Sequence, residues 1–175
     1  MSANDSWFTG TGGADPNHKL MDGIVKATSS MAATLTLSNL VPGGTYTLIA
    51  YTIENGTGGA GVGAQSNNTL TVGNTKYYTT APVDFNGTFI RAMNTNPAGP
   101  RDVGNYVEFD NVIADANGRI VLTDTFDGPS PQQDGTGIAA IQLQGPAPIP
   151  EPASAALVCF GAAVLIGMAR WRRTP

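Results

Sequence analysis

The chain has 175 residues, a length that suits one ordinary domain with accessory segments. Charged residues make up 13% and aromatics 7%, while 22 glycines and 12 prolines are many. That mixture, rich also in Thr and Asn, disfavours a helical bundle and favours short strands joined by turns. The net charge is −4, but residues 1–150 hold six basic against twelve acidic side chains, so there is no basic stripe for nucleic acid.

Met1 to Ser6 contains neither a basic region nor an apolar run of the kind that opens a secretory signal. Trp7-Phe8 reads as part of an early strand, and His18, the sole histidine, falls in the polar stretch ADPNHKL, expected as a solvated loop. Ala33 to Leu40 alternates, with Leu35 and Leu37 on one face and Thr34 and Thr36 on the other. Val41-Pro42-Gly43-Gly44 has turn chemistry, and Thr45 to Ile53 reads as a second, more apolar strand. The two are expected to pair as a hairpin.

Glu54 to Asn68 is glycine-rich and aperiodic, which predicts a long loop; no Lys-Ser/Thr closes it and no helix follows, as a phosphate cradle requires. Thr69 to Val72 and Lys76 to Thr79 flank Gly73-Asn74, a tight-turn pair. Gly87 to Ala92 is a further strand candidate, and Met93 to Gly104 reads as loop. Asn105 to Ile113 and Arg119 to Thr125 form a second clear pair around Asp115-Ala116-Asn117-Gly118. After a loop over 127–137, Ile138 to Gln144 supplies a last strand. Seven to eight strands and no helix before Ala153 predict an all-β, antiparallel sandwich, jelly-roll or immunoglobulin-like.

From Ala147 the sequence runs APIPEPASAALVCFGAAVLIGMARWRRTP. Ala153 to Ala169 is uncharged, and 17 helical residues reach about 25 Å, enough for a short membrane span. Ala153, Leu157, Phe160, Leu165, Ile166 and Ala169 are its expected lipid-embedded residues. Arg170, Arg172 and Arg173 with Trp171 follow at once, which keeps that end cytoplasmic and turns the body outward. Cys159 lies within the span as a small apolar residue.

The order Ile149-Pro150-Glu151-Pro152-Ala153-Ser154, span, Arg-rich end resembles the PEP-CTERM sorting signal. The resemblance implies delivery by an exosortase, a membrane cysteine transpeptidase that processes the tail near Pro150, Glu151 and Pro152. Residues 1–145 are then an extracellular domain, 146–152 a Pro-rich linker, 153–169 the transmembrane helix and 170–175 its cytoplasmic end. Such substrates carry an N-terminal secretory signal, so the coding frame is expected to begin upstream of Met1. In the body, Leu20-Met21-Asp22-Gly23, LTLSNLVPGGTYTLIAYT, GNYVEFDNVIADANGRIVLTDT and GIAAIQLQ resemble galactose-binding-like jelly-roll domains that recur in PEP-CTERM proteins.

Chemistry is sparse. One histidine excludes a Ser-His-Asp triad and a multi-histidine metal site. Glu108 and Asp110 lie two apart on one strand face with Asp124 on a neighbouring strand, but Val107, Phe109 and Leu122 alternate against them. The acids therefore read as a wet face rather than a glycosidase pair. Asp115-Ala116-Asn117-Gly118 lacks the full spacing of a calcium loop, and Asx-turn chemistry accounts for it. A structural calcium is implied only by the resemblance, no ligand set can be named, and no other cofactor is expected. Tyr46, Tyr51, Tyr77, Tyr78, Tyr106 and Trp7 are available to sugars, but their alternation favours packing; Tyr77 and Tyr78 face opposite sides, leaving one open to exposure. The Asn-x-Ser/Thr triplets at Asn4, Asn55, Asn67 and Asn86 are chance in so Thr/Asn-rich a chain. The expected function is a non-enzymatic, exported surface or matrix protein associated with extracellular polysaccharide, with a carbohydrate-binding module and a glycan hydrolase using acidic residues as alternatives.

Overall fold

A computed structural model describes residues 6–8, 15–28, 31–54, 66–82, 85–127 and 136–145. The chain divides into two units, Met1–Gly145 and Pro146–Pro175. The second lies outside the described residues, and with it the Pro150–Glu151–Pro152 motif, the expected span and Arg170, Arg172 and Arg173. Among the described residues no helix is long and apolar enough to cross a membrane.

Among its described residues the first unit has ten strands and one short helix. In chain order they are β1 (Ser6–Phe8), α1 (Pro16–Leu20), β2 (Gly23–Lys26), β3 (Ala33–Leu37), β4 (Thr45–Glu54) and β5 (Ser66–Val72). Then come β6 (Thr75–Ala81), β7 (Asp102–Val103), β8 (Tyr106–Ile113), β9 (Ile120–Phe126) and β10 (Thr136–Gln144). Two five-stranded sheets, β1-β2-β10-β4-β8 and β3-β9-β5-β6-β7, pack as a sandwich. The all-β sandwich is as the alternation predicts. One detail differs: β6 and β7 run parallel, so the second sheet is mixed.

Both hairpins expected around 41–44 and 115–118 are corrected. β3 pairs with β9 and β4 with β8, all antiparallel, so each supposed hairpin is an arch that carries the chain from one sheet to the other. The two arches dock on each other. Leu40 N–H donates to Gly118 O at 3.0 Å, Gly43 N–H to Ala114 O at 3.1 Å, and Ala114 N–H to Gly44 O at 3.0 Å. The hairpin β5–β6 does form, turning at Gly73-Asn74 with Gly73 at φ +56°.

Alternation fills the space between the sheets with Leu48, Ala50, Leu70, Val107, Phe109, Ile120, Leu122 and Ile138. Two bulges keep the registers productive. Between Tyr46 and Leu48, β8 spends one extra residue, with Asn111 at φ +55°, so that Val112 still packs on this core. Between Ile138 and Ala140, β10 does the same, which lets Ile138, Ile141 and Leu143 all reach it.

A second apolar cluster covers the other face of the first sheet: Met21, Ile24, Tyr51, Ile53 and Phe85, with Leu20, Ile49, Phe89 and Tyr106 around them. It is roofed in part by α1, a helix in place of the expected polar loop. Asp15-Pro16 supplies the missing signal, Pro16 at the first turn and Asp15 as its cap, with Asp15 Oδ1 accepting from Asn17 and His18 N–H at 2.9 and 3.2 Å. His18 is accordingly no solvated loop residue: its ring pairs with the Asp15 carboxylate and meets Phe85 edge-on at 5.1 Å.

Residues 87–92, expected as a strand, run beside β8 with a single bridge, Arg91 to Tyr106. Conversely, Asn67 and Asn68, assigned by sequence to the glycine-rich loop, belong to β5, and Thr136 and Gly137 belong to β10.

Candidate functional site

The three carboxylates considered for catalysis do not converge. Glu108 lies on the outer face of β8 and is paired with Arg91 Nη1 at 2.9 Å. Asp110 is exposed two residues on, where its Oδ1 accepts from the Thr47 hydroxyl at 3.3 Å. Asp124 is on the opposite sheet and fully buried, because it continues the inward series Ile120, Leu122. Asp110 is exposed as expected of a wet face, Glu108 is half-buried on a face that also carries the second apolar cluster, and the placing of Asp124 beside them is corrected.

The aromatics are packed. Tyr51 is stacked against Phe89 and Tyr106 and donates to Gln142 Oε1 at 3.2 Å. Tyr46 is buried and its Oη accepts from Val41 N–H at 2.9 Å, while Tyr77 sits edge-on to Phe109 at 5.0 Å. Both members of the Tyr77-Tyr78 pair are half-buried, so the exposure left open for one of them is not realised in full. Tyr78 lies under the Arg101 guanidinium, 5.4 Å from its ring centre. Arg101 also donates to Asn68 O and to Asp127 Oδ2, both at 2.6 Å. The side chain of Trp7 lies outside the described residues.

Among the described residues, a cleft of about 530 Å³ opens at the end of the sandwich where the arches meet. Three local devices build it. The Gly73-Asn74 turn forms one lip; the bulge at Asn111 presents Asp110 and Asn111 from β8; and the Asp115–Gly118 turn delivers Arg119 to the start of β9. The buried side chains Val72 and Ile120 close its inner wall, whereas Ile113, 68% exposed, and Val121 stand at its mouth.

Asp115 Oδ1 is already committed, accepting from the N–H groups of Asn117 and Arg119 at 2.8 and 2.9 Å. This is the Asx turn expected from the sequence. Arg119, which lines the cleft, is exposed and its guanidinium forms no ion pair among the described residues. Carboxylate acceptors, amides that both donate and accept, one guanidinium and aliphatic walls together suit a ligand carrying several hydroxyls and exposed C–H faces.

The sequence singles out Asp110 and Asp115 but not Asn74, Asn111, Arg119 or the two exposed aliphatics. Only the arch topology brings those three segments together, and no local pattern announces it. Among the described residues no group of three or more His, Cys, Asp or Glu side chains is placed to hold a metal ion. No protein-family model, curated protein or solved structure matches this chain.

Proposed function

We propose that the protein is an exported surface or matrix component, handed to an exosortase-type transpeptidase by its C-terminal tail, and that its sandwich holds extracellular polysaccharide without catalysis. The observation that carries this reading is the order of the tail: Pro150-Glu151-Pro152, an uncharged stretch of span length, then Arg170, Arg172 and Arg173. The finer description of the body as a galactose-binding-like jelly roll belongs with the same proposal. Its support is the crossing of the chain between sheets at both arches.

Non-enzymatic action is supported by the separate fates of the carboxylates, with Glu108 neutralised by Arg91 and Asp124 enclosed in the core. The alternative, a carbohydrate-binding module in its own right, is favoured by one observation, the open cleft bearing Asp110, Asn111, Arg119 and Ile113.

Two experiments bear on these halves separately. Alanine at Pro150, Glu151 and Pro152 together is expected to leave the protein in the membrane fraction of an exosortase-bearing host, whereas the unchanged chain is released to the surface. Equal release of both would remove the sorting proposal. For the cleft, affinity electrophoresis of the protein through gels containing neutral and acidic polysaccharides is expected to show retardation on at least one. Arg119→Ala, which removes an exposed side chain, is expected to weaken that retardation about tenfold or more, since each charge-assisted hydrogen bond contributes about 1.5–3 kcal/mol. Retardation unchanged by Arg119→Ala, or absent on every polysaccharide, would contradict the assignment of the cleft.

A further inference from the structure

At the end of the sandwich opposite the arches, four strands bring polar side chains into the space between the sheets. Thr52 of β4, Thr136 of β10, Asn68 of β5 and Asp124 of β9 are each 0% exposed. Each continues an inward-facing series of otherwise apolar residues, so their burial follows from the pleat. They form one chain of hydrogen bonds. The two threonine hydroxyls lie 3.2 Å apart, and Asn68 Nδ2 donates to Thr52 Oγ1 at 3.0 Å and to Asp124 Oδ1 at 3.2 Å.

The chain is short of a donor. Both hydrogens of the Asn68 amide are spent, yet Asn68 Oδ1 and Asp124 Oδ2 are buried without a partner. Both orphans are acceptors. Exchanging the amide oxygen and nitrogen does not help, because it would set an acceptor against Asp124 Oδ1. A buried carboxylate facing unsatisfied acceptors is costly, and one proton is the smallest addition that removes both its charge and the deficit.

Among the described residues no cation takes the proton's place. On its own sheet Asp124 stands opposite Ala33 of β3 and Leu70 of β5. Lys26 of β2 is in register with Gly137 and through it with Ile53, on the other face of the first sheet. Arg101 is committed to Asn68 O and to Asp127, and Asp127 adds a second negative charge.

We infer that Asp124 is held as a neutral carboxylic acid whose proton is shared with the Asn68 amide, so that this junction between the sheets is closed in mildly acidic surroundings and loosened above neutrality. Burial accordingly pushes the Asp124 carboxyl up to about 7; the Asn68 N–H opposes this and the Asp127 charge adds to it. The sign follows from linkage: the unfolded chain ionises Asp124 near pH 4, the folded one near 7, so the stabilising contribution is complete below 4 and is lost as pH rises through 7.

The test is chemical denaturation of the full chain in detergent micelles at pH 5 and pH 8, with Asp124→Asn alongside and the Asp124 carboxyl carbon followed by NMR. The folded-to-unfolded ratio of the unchanged protein is expected to fall about a hundredfold between the two pH values. Asp124→Asn, which brings its own N–H donors, is expected to remove most of that fall. The carboxyl carbon is expected to titrate near neutrality, and this reading decides the matter if the variant does not fold. Titration below pH 5, or an unchanged pH dependence in Asp124→Asn, would overturn the inference. So would recovery of the pH 5 stability at pH 8 on adding calcium chloride, which would make the missing partner a metal cation instead.

Discussion

Replacing Phe109 by alanine is expected to lower the unfolding free energy by about 3–5 kcal/mol, the usual loss for a fully enclosed aromatic. Phe109 is 1% exposed and sits between the two sheets: it pairs with Leu48 across β4 and β8 and takes the edge of Tyr77 from the opposite sheet. Removing its ring opens a cavity lined by both sheets, which neither can close without shifting the other. Urea unfolding monitored by tyrosine fluorescence would measure the change, with an unaltered denaturant slope showing that the fold is retained. Ile113→Ala, at the exposed mouth of the cleft, serves as the contrast and should stay within about 0.5 kcal/mol. A loss below about 1 kcal/mol at Phe109 would mean that the core is not centred on it.

The second large effect is expected at the junction of the arches. Gly118 has φ +66°, and a Cβ there would lie 2.2 Å from Leu40 O, a backbone atom that cannot swing aside. The same Leu40 donates its N–H to Gly118 O, so retreat would break the bond that ties one arch to the other. Left-handed backbone costs a non-glycine residue about 1–2 kcal/mol, and the clash adds to this; Gly118→Ala is expected to lose about 3–4 kcal/mol in total. Gly73 separates the two causes. It has φ +56° but nothing within 4 Å of the place a Cβ would take, so Gly73→Ala is expected to show the conformational part alone, about 1–2 kcal/mol. Equal losses at both glycines, measured by the same urea unfolding, would contradict the close approach of the arches.

These two sites also show how much of the molecule can be read from the sequence. Period-two alternation places Leu35, Leu37, Val107, Phe109 and Leu122 on inner faces, because that depends only on the pleat. Pairing depends on where a connection leads, which alternation does not encode. The stretches 38–44 and 114–119 have turn residues but are longer than a tight hairpin needs, and they cross between sheets instead. Only Gly73-Asn74, with two residues, leaves no such choice.

The buried polar junction is legible in principle. Asn68 precedes Leu70 and Val72 by two and four residues, and Asp124 follows Leu122 by two, so the same alternation that buries the leucines buries them. Reading polarity as exposure conceals it, because that rule sends Asn68 to the glycine-rich loop and Asp124 to the wet face. The cleft is not legible, since Asn74, Asp110 and Arg119 come from segments that local pattern cannot bring together. The helix α1 is announced by Asp15-Pro16, a cap and first-turn pair that a five-residue helix makes easy to overlook.

The proposed function thus joins a sandwich with an exposed cleft at one end to a tail whose sequence order is proposed to direct delivery. Its central claim is the handling of that tail, and the most direct test is the intact mass of the protein released from the cell surface. The account predicts a mature C-terminus near Pro150-Glu151-Pro152, with the apolar stretch and Arg170, Arg172 and Arg173 removed. A released protein whose mass includes Arg170 through Pro175 would contradict it.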